Sequence, residues 1–415
     1  MTSLEEDLED AVATPWGAGE VHPGVRRARA WLSRAAEPST VDVWRYVDDL
    51  GPVEAVRRLR AGSAPDRIRS LVGARAEQDA TLADLQRAQR CDGRLVVPED
   101  DEWPGLALHA LTLGVAGEPV VPRDQTDRTR ALVPPLALWV RGGGRLDELV
   151  DRSVAIVGSR ASTAYGEHVA AELGHQLGER GWTVVSGGAF GIDGAAHRGA
   201  LAADAPTVAV LSCGVDRPYP AAHGALFHRI AESGLLVSEW PPGCAPLRHR
   251  FLVRNRLIAA LTRGTVVVEA AARSGAQATA NRARELGRAV MVVPGPVTSA
   301  MSVGCHELLR EKEGGARLVT SAAHVIEEVG GIGDLAEPEA RPVTPRDGLS
   351  DVAVRVLDAC PVRTGVPPER LAAVAGCDVL DVLRVLPALE VAGLVEWTGT
   401  GWRLTPQRRG SGAAS

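Results

Sequence analysis

The chain contains almost no lysine and few phenylalanine, tyrosine or methionine residues. Of its 46 basic residues only Lys312 is a lysine, so the other 45 are arginine. This skew is typical of a GC-rich coding genome, and it makes any single arginine a weaker sign of function. The formal net charge is -6, which argues against a protein that coats polyanions over its whole surface but leaves room for a local basic site.

Cysteine clusters and long apolar runs are also missing. The six cysteines stand singly, at Cys91, Cys213, Cys244, Cys305, Cys360 and Cys377. This spacing argues against structural zinc and against a disulfide framework. No apolar run approaches the ~20 residues of a membrane span, and the acidic N-terminus is unlike a signal peptide. We therefore expect a soluble, cytoplasmic protein with no membrane partner, no metal and no cofactor.

Composition and periodicity divide the 415 residues into segments. We expect a disordered acidic tail at 1–20, a helical domain at 21–90, an extended α/β core at 91–330, a linker at 331–347, a small domain at 348–405 and a disordered tail at 406–415. Helical spacing and a Gly51-Pro52 helix start make the second segment similar to a sterile-alpha-motif or helix-hairpin-helix module. A plain packing domain is the alternative.

The segment 151–330 alternates short apolar strands with helical patterns. The strand candidates are 154–157, 183–185, 207–211, 235–237, 265–268 and 290–293. Uniformly apolar strands indicate a parallel sheet that is covered on both faces. The pattern predicts a Rossmann-like, doubly wound α/β fold that binds ligands beyond the C-terminal strand ends. Two earlier candidates, 94–97 and 136–140, are expected to add edge strands or a lead-in.

The segment 348–405 has the pattern of a winged helix. Helices are expected at 350–359, 368–375 and 379–392, followed by a hairpin of 395–397 and 402–404. Between 347 and 405 there are five arginines and eight acidic residues. The third helix, which would enter a DNA groove, begins with Asp378 and Asp381 and carries only Arg384 as a base. Since phosphate binding needs positive charge, we expect a protein-contact or regulatory role.

Three loops of small residues follow predicted strands of the core. They are Gly158-Ser159-Arg160, the run Ser186-Gly187-Gly188-Ala189-Phe190-Gly191, and Ser274-Gly275. Such loops present backbone N–H groups and helix N-termini to an anion. The first loop is not Gly-x-Gly-x-x-Gly, no ribose-binding acid follows the second strand, and no Gly-Lys-[Ser/Thr] occurs. These absences argue against a nicotinamide cofactor and against a Walker loop.

Positive charge is concentrated in the segment 248–288. It holds two glutamates and nine arginines, namely Arg248, Arg250, Arg254, Arg256, Arg263, Arg273, Arg282, Arg284 and Arg288. With Phe251 among them, the cluster is typical of a strip that follows a phosphate backbone and stacks on a base. A solvated helix face is the alternative interpretation.

Candidate catalytic groups are few. The three loop serines lack a Gly-x-Ser-x-Gly setting, and His197 is expected to be a packing histidine. Asp193 is interpreted as a helix-capping residue rather than a base. Glu269, at a predicted strand end, is the best single candidate for an acid or a base, and it could equally orient a loop.

In their order and number these motifs resemble the DNA-processing protein A (DprA/Smf) family. The matching pieces are 157–160, 186–193, 196–197, 214–216, 219–220, 238–239, 251–258, 268–270, 274–275, 294–295 and Gly304. The resemblance implies a non-catalytic protein that binds single-stranded DNA and forms a homodimer through its Rossmann core. It also implies a partner, a RecA-type recombinase that such proteins help to load in natural transformation.

By position, the resemblance implies a set of DNA-binding residues. They are Gly158, Ser159, Arg160, Ser186, Gly187, Gly188, Phe190, Arg248, Phe251, Arg254, Asn255, Ser274 and Gly275. Arg160 and Arg248 are expected to meet phosphate, Phe251 to stack on a base, and the glycine loops to offer N–H donors.

The chain departs from the family pattern at four places, one of which is Ala276-Gln277-Ala278 in place of a more apolar triplet. Phe190 replaces a basic residue or tyrosine, and His223 and His306 replace asparagines.

A different class of function, a lysine-decarboxylase-like nucleotide phosphoribohydrolase, shares the Rossmann layout and a strand-end glutamate. Its Pro-Gly-Gly loop is absent here, so we treat it as the alternative.

Overall fold

The computed structural model describes residues 4, 6, 8, 21–77, 79–116, 131–272, 274–311, 315–331, 334, 346 and 348–406. The chain divides into two compact units, Met1–Ala336 and Glu337–Ser415. The predicted linker 331–347 and the predicted tail 406–415 fall largely outside the described residues.

The first unit begins with a layer of short helices. They are α1 (Pro23–Ala35), α2 (Val41–Leu50), α3 (Pro52–Arg60), α4 (Asp66–Val72), a 3₁₀ turn (Gly73–Glu77) and α5 (Thr81–Gln89). The apolar faces of α1 to α4 meet in one cluster that includes Trp31 and Leu32, whereas α5 packs Leu85 and Ala88 into a separate cluster. Leu4 and Leu8 are buried in the same cluster as Trp31. Of the tail predicted at 1–20, only residues 4, 6 and 8 are among the described residues.

A nine-stranded sheet follows, and it confirms the Rossmann-like, doubly wound α/β prediction. Its strands are β1 (Gly93–Val96), β2 (Leu138–Arg141), β3 (Ser153–Val157), β4 (Thr183–Ser186), β5 (Thr207–Leu211), β6 (Leu235–Ser238), β7 (Gly264–Val267), β8 (Ala289–Val292) and β9 (Arg317–Leu318). The order is β1-β2-β6-β5-β4-β3-β7-β8-β9. From β6 to β9 all pairs are parallel, whereas β1 and β2 add antiparallel strands at one side.

Helices cover both faces of the sheet. They are α6 (Gly105–Ala116), α7 (Leu146–Asp151), α8 (Ala164–Glu179), α9 (Ile192–Ala202), a 3₁₀ turn (Ala221–His223), α10 (Gly224–Ser233), α11 (Arg248–Ala260), α12 (Gly275–Glu285), α13 (Val303–Arg310) and α14 (Ala322–Val329). Alternate residues of β3 serve the two cores, with Ala155 and Val157 facing α11 and α12, and Val154 and Ile156 facing α8 and α9. Among the described helices, none is long and apolar enough to cross a membrane.

The second unit is the predicted winged helix. It contains α15 (Asp351–Ala359), α16 (Pro368–Ala375), α17 (Val379–Val391), β10 (Val395–Trp397) and β11 (Trp402–Leu404). The two strands pair antiparallel, and Val366 adds a bridge to Trp402. A separate core around Val356, Leu371 and Leu386 holds the three helices together.

His197 on α9 is buried, and its protonation makes the stability of the fold depend on pH. The Thr207 hydroxyl donates to the Val184 carbonyl at 2.6 Å, so it accepts from His197 Nδ1 at 2.8 Å. Burial lowers the pKa of His197 to about 3. Below about pH 6.5 the unfolded chain therefore takes up a proton that the folded chain refuses, and stability falls as the pH falls.

We expect this histidine to remove about 1 kcal/mol of stability per pH unit between about pH 6 and pH 4. His197→Phe keeps a ring in the space but does not titrate. Urea denaturation across this pH range should show a shallower loss of stability in the variant than in the wild type. Parallel pH profiles for the two proteins would contradict the assignment.

Candidate nucleic-acid interface

Helix α11 brings the three predicted loops together at the C-terminal edge of the sheet. The Arg160 guanidinium lies 4.9 Å from the centre of the Phe251 ring. Gly187 is packed so closely against the Arg254 guanidinium that a side chain there would collide with it. Asn255 Nδ2 donates to the Gly275 carbonyl at 3.3 Å. One face of a single helix thus contacts the loops that follow β3, β4 and β7.

In the first loop, Ser159 is engaged within the chain and Arg160 is the exposed side chain. A side chain at Gly158 would collide with Ile192, so glycine is required there. The Ser159 N–H donates to the Glu269 carbonyl at 2.7 Å, and Ser159 Oγ accepts from the Ala161 N–H at 3.2 Å. The expectation that Ser159 binds an anion is therefore not met by its backbone. Arg160 is the exposed group of this loop.

In the second loop an internal carboxylate takes the place predicted for an external anion. Asp193 Oδ2 accepts from the N–H groups of Gly187 at 3.2 Å and Ala189 at 3.4 Å. Ser186 Oγ donates to the Ile156 carbonyl at 2.6 Å. Burial raises the pKa of Asp193, although Arg254 and the two N–H donors oppose this rise. The Gly187 N–H, which is predicted to donate to DNA, thus has an acceptor inside the chain, and so does the Ser186 hydroxyl.

The two departures from the family pattern near this loop contact each other. The Phe190 and His223 rings pack edge to face, with centroids 4.7 Å apart, and His223 Nδ1 lies 3.1 Å from the Gly188 carbonyl oxygen. Phe190 remains 46% exposed. The third departure, His306, places Nε2 3.1 Å from the Gly295 carbonyl oxygen. Phe190 therefore presents an aromatic surface at the rim of the loop.

The third loop is the start of a helix. Ser274 caps α12, where its Oγ accepts from the Gln277 N–H at 3.4 Å. Gly275 is exposed. Asn255, which was predicted to contact DNA, is buried and holds this helix start in place. Its role in the structure is to position the loop.

Arg254 is a buried cation beside the cluster. It is only 4% exposed, and its Nη1 donates to the Val210 carbonyl at 2.6 Å. Burial lowers the pKa of Arg254 to about 10; the nearby Asp193 carboxylate opposes this fall, and the positive charge of Arg160 adds to it. The group is therefore still charged at neutral pH. Its Nε has no hydrogen-bond partner in the described part of the chain. Arg254 therefore adds positive electrostatic potential to the site from a buried position, and does not offer an exposed group for the direct DNA contact that is predicted.

Phe251 lies between a cation and a second aromatic ring. Arg160 covers one side, and the Tyr219 ring meets it edge-on with centroids 6.0 Å apart. Tyr219 is 48% exposed. Sequence reasoning did not place Tyr219 in the site, although it follows the end of β5 and therefore belongs to the same sheet edge. The structure adds it to the cluster.

The predicted basic strip is not one surface. Five of its arginines pair with carboxylates, in the pairs Arg250–Glu37, Arg256–Glu239, Arg263–Asp151, Arg282–Glu285 and Arg284–Glu311. Arg273 lies outside the described residues. Within the part of the chain that the structure describes, Arg160, Arg248 and Arg254 form no ion pair with a carboxylate. We name the cluster of Arg160, Tyr219, Arg248, Phe251 and Arg254 the arginine–aromatic site.

Glu269 has a structural role. It is buried, and its carboxylate accepts from the Thr163 N–H at 2.9 Å and from the Thr163 hydroxyl at 2.6 Å. Thr163 in turn caps α8 by accepting from the Gly166 N–H at 3.2 Å. These bonds close the crevice between β3 and β7, where the strand order reverses. The geometry argues against Glu269 as an acid or base and against the phosphoribohydrolase alternative.

Comparison with known proteins agrees with this geometry. The sequence model of the family described as DNA recombination-mediator protein A matches residues 118–330. A Mycobacterium tuberculosis protein that bears the name DNA processing protein DprA is 50% identical over 94% of this chain and 96% of its own length. The DprA of Streptococcus pneumoniae is 43% identical over 47% of this chain and 67% of its own.

A solved structure shows the same fold. The X-ray structure of DprA from Streptococcus pneumoniae superposes with a TM-score of 0.58 at 29% identity, over 75% of this chain and 99% of that one. Both the family model and the near full-length relative at 50% identity support one assignment. The chain belongs to the DNA recombination-mediator protein A (DprA/Smf) family.

Proposed function

We propose that this protein is a non-catalytic, single-stranded DNA-binding recombination mediator. In this role it protects the strand and helps to load a RecA-type recombinase onto it, as in natural transformation. The observation that carries the proposal is the arginine–aromatic site, in which an exposed arginine covers a phenylalanine ring above a second, buried arginine.

The electrostatics of the arginine–aromatic site favour a polyanion. Arg160 and Arg254 repel each other, although the buried Asp193 attracts Arg254. Among the described residues, neither arginine has a carboxylate within ion-pair distance. Two neighbouring guanidinium groups repel each other, and a bound phosphate would relieve that repulsion. Arg248 stands at the first position of α11, three residues before Phe251, where the N-terminal end of the helix also favours negative charge.

The aromatic groups favour a single strand over a duplex. Phe251 and Tyr219 can contact a base only if that base is free of its own stack. Phe190, at the rim of the second loop, offers a further exposed ring. Since stacking accepts any base, this arrangement supports binding without sequence specificity.

We expect Arg160→Ala and Arg248→Ala each to weaken binding to single-stranded DNA, because each removes one phosphate contact. Each should also lower the slope of log affinity against log salt by about 0.7. Fluorescence anisotropy with a labelled oligonucleotide between low and moderate salt measures both quantities. Recovery of the oligonucleotide at its original length checks the absence of cleavage.

Arg263→Ala is the matched control for this experiment. Arg263 directly precedes β7 and so lies at the opposite edge of the sheet, where it pairs with Asp151. The variant carries the same change in net charge, yet it should bind like the wild type. Unchanged affinity and slope in both site variants, or an equal loss in the control, would rule out the arginine–aromatic site.

Membership of a recombination-mediator family supports the recombinase part of the proposal, and the homodimer part comes from the family resemblance of the core motifs. We expect the protein to speed the assembly of a RecA-type recombinase on single-stranded DNA that carries a competing single-strand-binding protein. The ATPase activity of the recombinase reports this assembly, and Arg160→Ala should abolish the stimulation. No stimulation by the wild type would contradict the loading role. Sedimentation velocity tests the proposed homodimer through the Rossmann core.

We propose that the C-terminal unit contacts protein rather than duplex DNA. On α17 the apolar side chains of Leu380 and Leu383 are exposed. The only base of this helix, Arg384, is 3.4 Å from the Asp381 carboxylate. Apolar side chains with acidic neighbours suit a protein surface better than a phosphate backbone.

The isolated unit Glu337–Ser415 should therefore not retard a duplex oligonucleotide in a gel at moderate salt. The full chain, tested with single-stranded DNA in the same gel, is the positive control. Tight retardation of the duplex by the isolated unit would contradict the proposed protein-contact role.

A further inference from the structure

The first turn of α11 is contacted by a residue of the N-terminal helical layer, Glu37. Glu37, in the connection between α1 and α2, accepts from Arg250 Nε at 3.1 Å and lies 3.4 Å from His249 Nε2. Its second oxygen accepts from Arg75 Nη1 at 2.8 Å. One carboxylate of the N-terminal helices thus contacts two consecutive residues of α11 and one arginine of its own layer.

The segment that leads into α11 is held by the same layer. The Pro242 carbonyl accepts from Arg34 Nη2 at 3.0 Å and from Arg87 Nη1 at 3.2 Å. Arg250 also donates to the Ala245 carbonyl at 3.0 Å, and its guanidinium lies 5.4 Å from the centre of the Trp240 ring. The N-terminal helices therefore contact both the first turn of α11 and the segment that leads into it.

The residues that Glu37 holds lie between two members of the arginine–aromatic site. Arg248 precedes His249 and Arg250 in the chain, and Phe251 follows them. Glu37 is largely buried, and although burial acts to raise its pKa, Arg250, Arg75 and His249 hold that pKa below the ordinary value. The carboxylate is therefore ionised at neutral pH and bound firmly.

We propose that Glu37 is a positioning residue for DNA binding, which fixes the first turn of α11 and thereby the placement of Arg248 and Phe251. This role rests on the proposed function. It makes the N-terminal helices part of the DNA site without any contact between them and the DNA.

The direction in which Glu37→Gln changes the affinity for DNA distinguishes a positioning role from a purely electrostatic effect. Glu37→Gln removes a negative charge and releases Arg75, His249 and Arg250, so charge alone predicts tighter binding to a polyanion. Loss of positioning predicts the opposite. We expect Glu37→Gln to bind single-stranded DNA about fivefold to tenfold more weakly, with a lower salt slope, because the contact of Arg248 with phosphate is lost.

Glu99→Gln is the matched control. Glu99 pairs with Arg29 of α1 at 2.6 Å, so this variant has the same charge change and loses an ion pair of the same helical layer, but it leaves α11 untouched. It should bind at least as tightly as the wild type. Circular dichroism melting of the full chain checks that each variant is folded at the temperature of the binding measurement.

Glu37→Asp provides the test if the glutamine variant is unstable. It keeps the charge but withdraws the carboxylate by one methylene, and we expect binding about twofold to threefold weaker than that of the wild type. Wild-type-like or tighter binding by a folded Glu37 variant would overturn the positioning role while leaving the proposed function intact. Failure of Arg160→Ala and Arg248→Ala to weaken binding would overturn the proposed function and this role with it.

Discussion

The buried ion pair between Arg256 and Glu239 is the constraint on which the candidate site depends. Two parallel hydrogen bonds join the groups, at 2.5 and 2.7 Å, and Arg256 Nε donates to the Val133 carbonyl at 2.9 Å. Both side chains are almost fully removed from water. A buried guanidinium without its partner would be costly, about 3–5 kcal/mol, so the pair fixes the rotation of α11 about its axis.

That rotation decides which side chains meet the loops. On a helix, residues three, four and seven apart share a face, and Arg248, Phe251 and Asn255 have this spacing. Arg256 lies about 100° further around the helix than Asn255. With Arg256 held by Glu239, the face of Arg248, Phe251 and Asn255 points towards the loops after β3, β4 and β7. Helix α11 is thus buried in the core although it carries charged residues on several sides. Of these, Arg256 pairs with Glu239, and Arg254 donates to the Val210 carbonyl.

This acidic protein has a positively charged site because some of its arginines pair with carboxylates and others do not. Most arginines of the segment 248–288 are neutralised by carboxylates, some from distant parts of the chain. Arg160, Arg248 and Arg254 are the members of the site without such partners among the described residues. Local positive potential therefore depends less on the number of arginines than on which of them the fold leaves unpaired.

The sequence by itself determined the strand and helix pattern, the doubly wound topology and the sheet edge that carries the loops, because hydrophobic periodicity and small-residue loops are local signals. It also predicted Arg160, Arg248 and Phe251 as residues of the candidate site. Only the tertiary structure decided that Asp193 occupies the second loop, that Glu269 caps α8 through Thr163, and that Glu37 reaches Arg250. Such contacts join residues far apart in the chain or depend on side-chain direction, and neither leaves a periodic signal in the sequence.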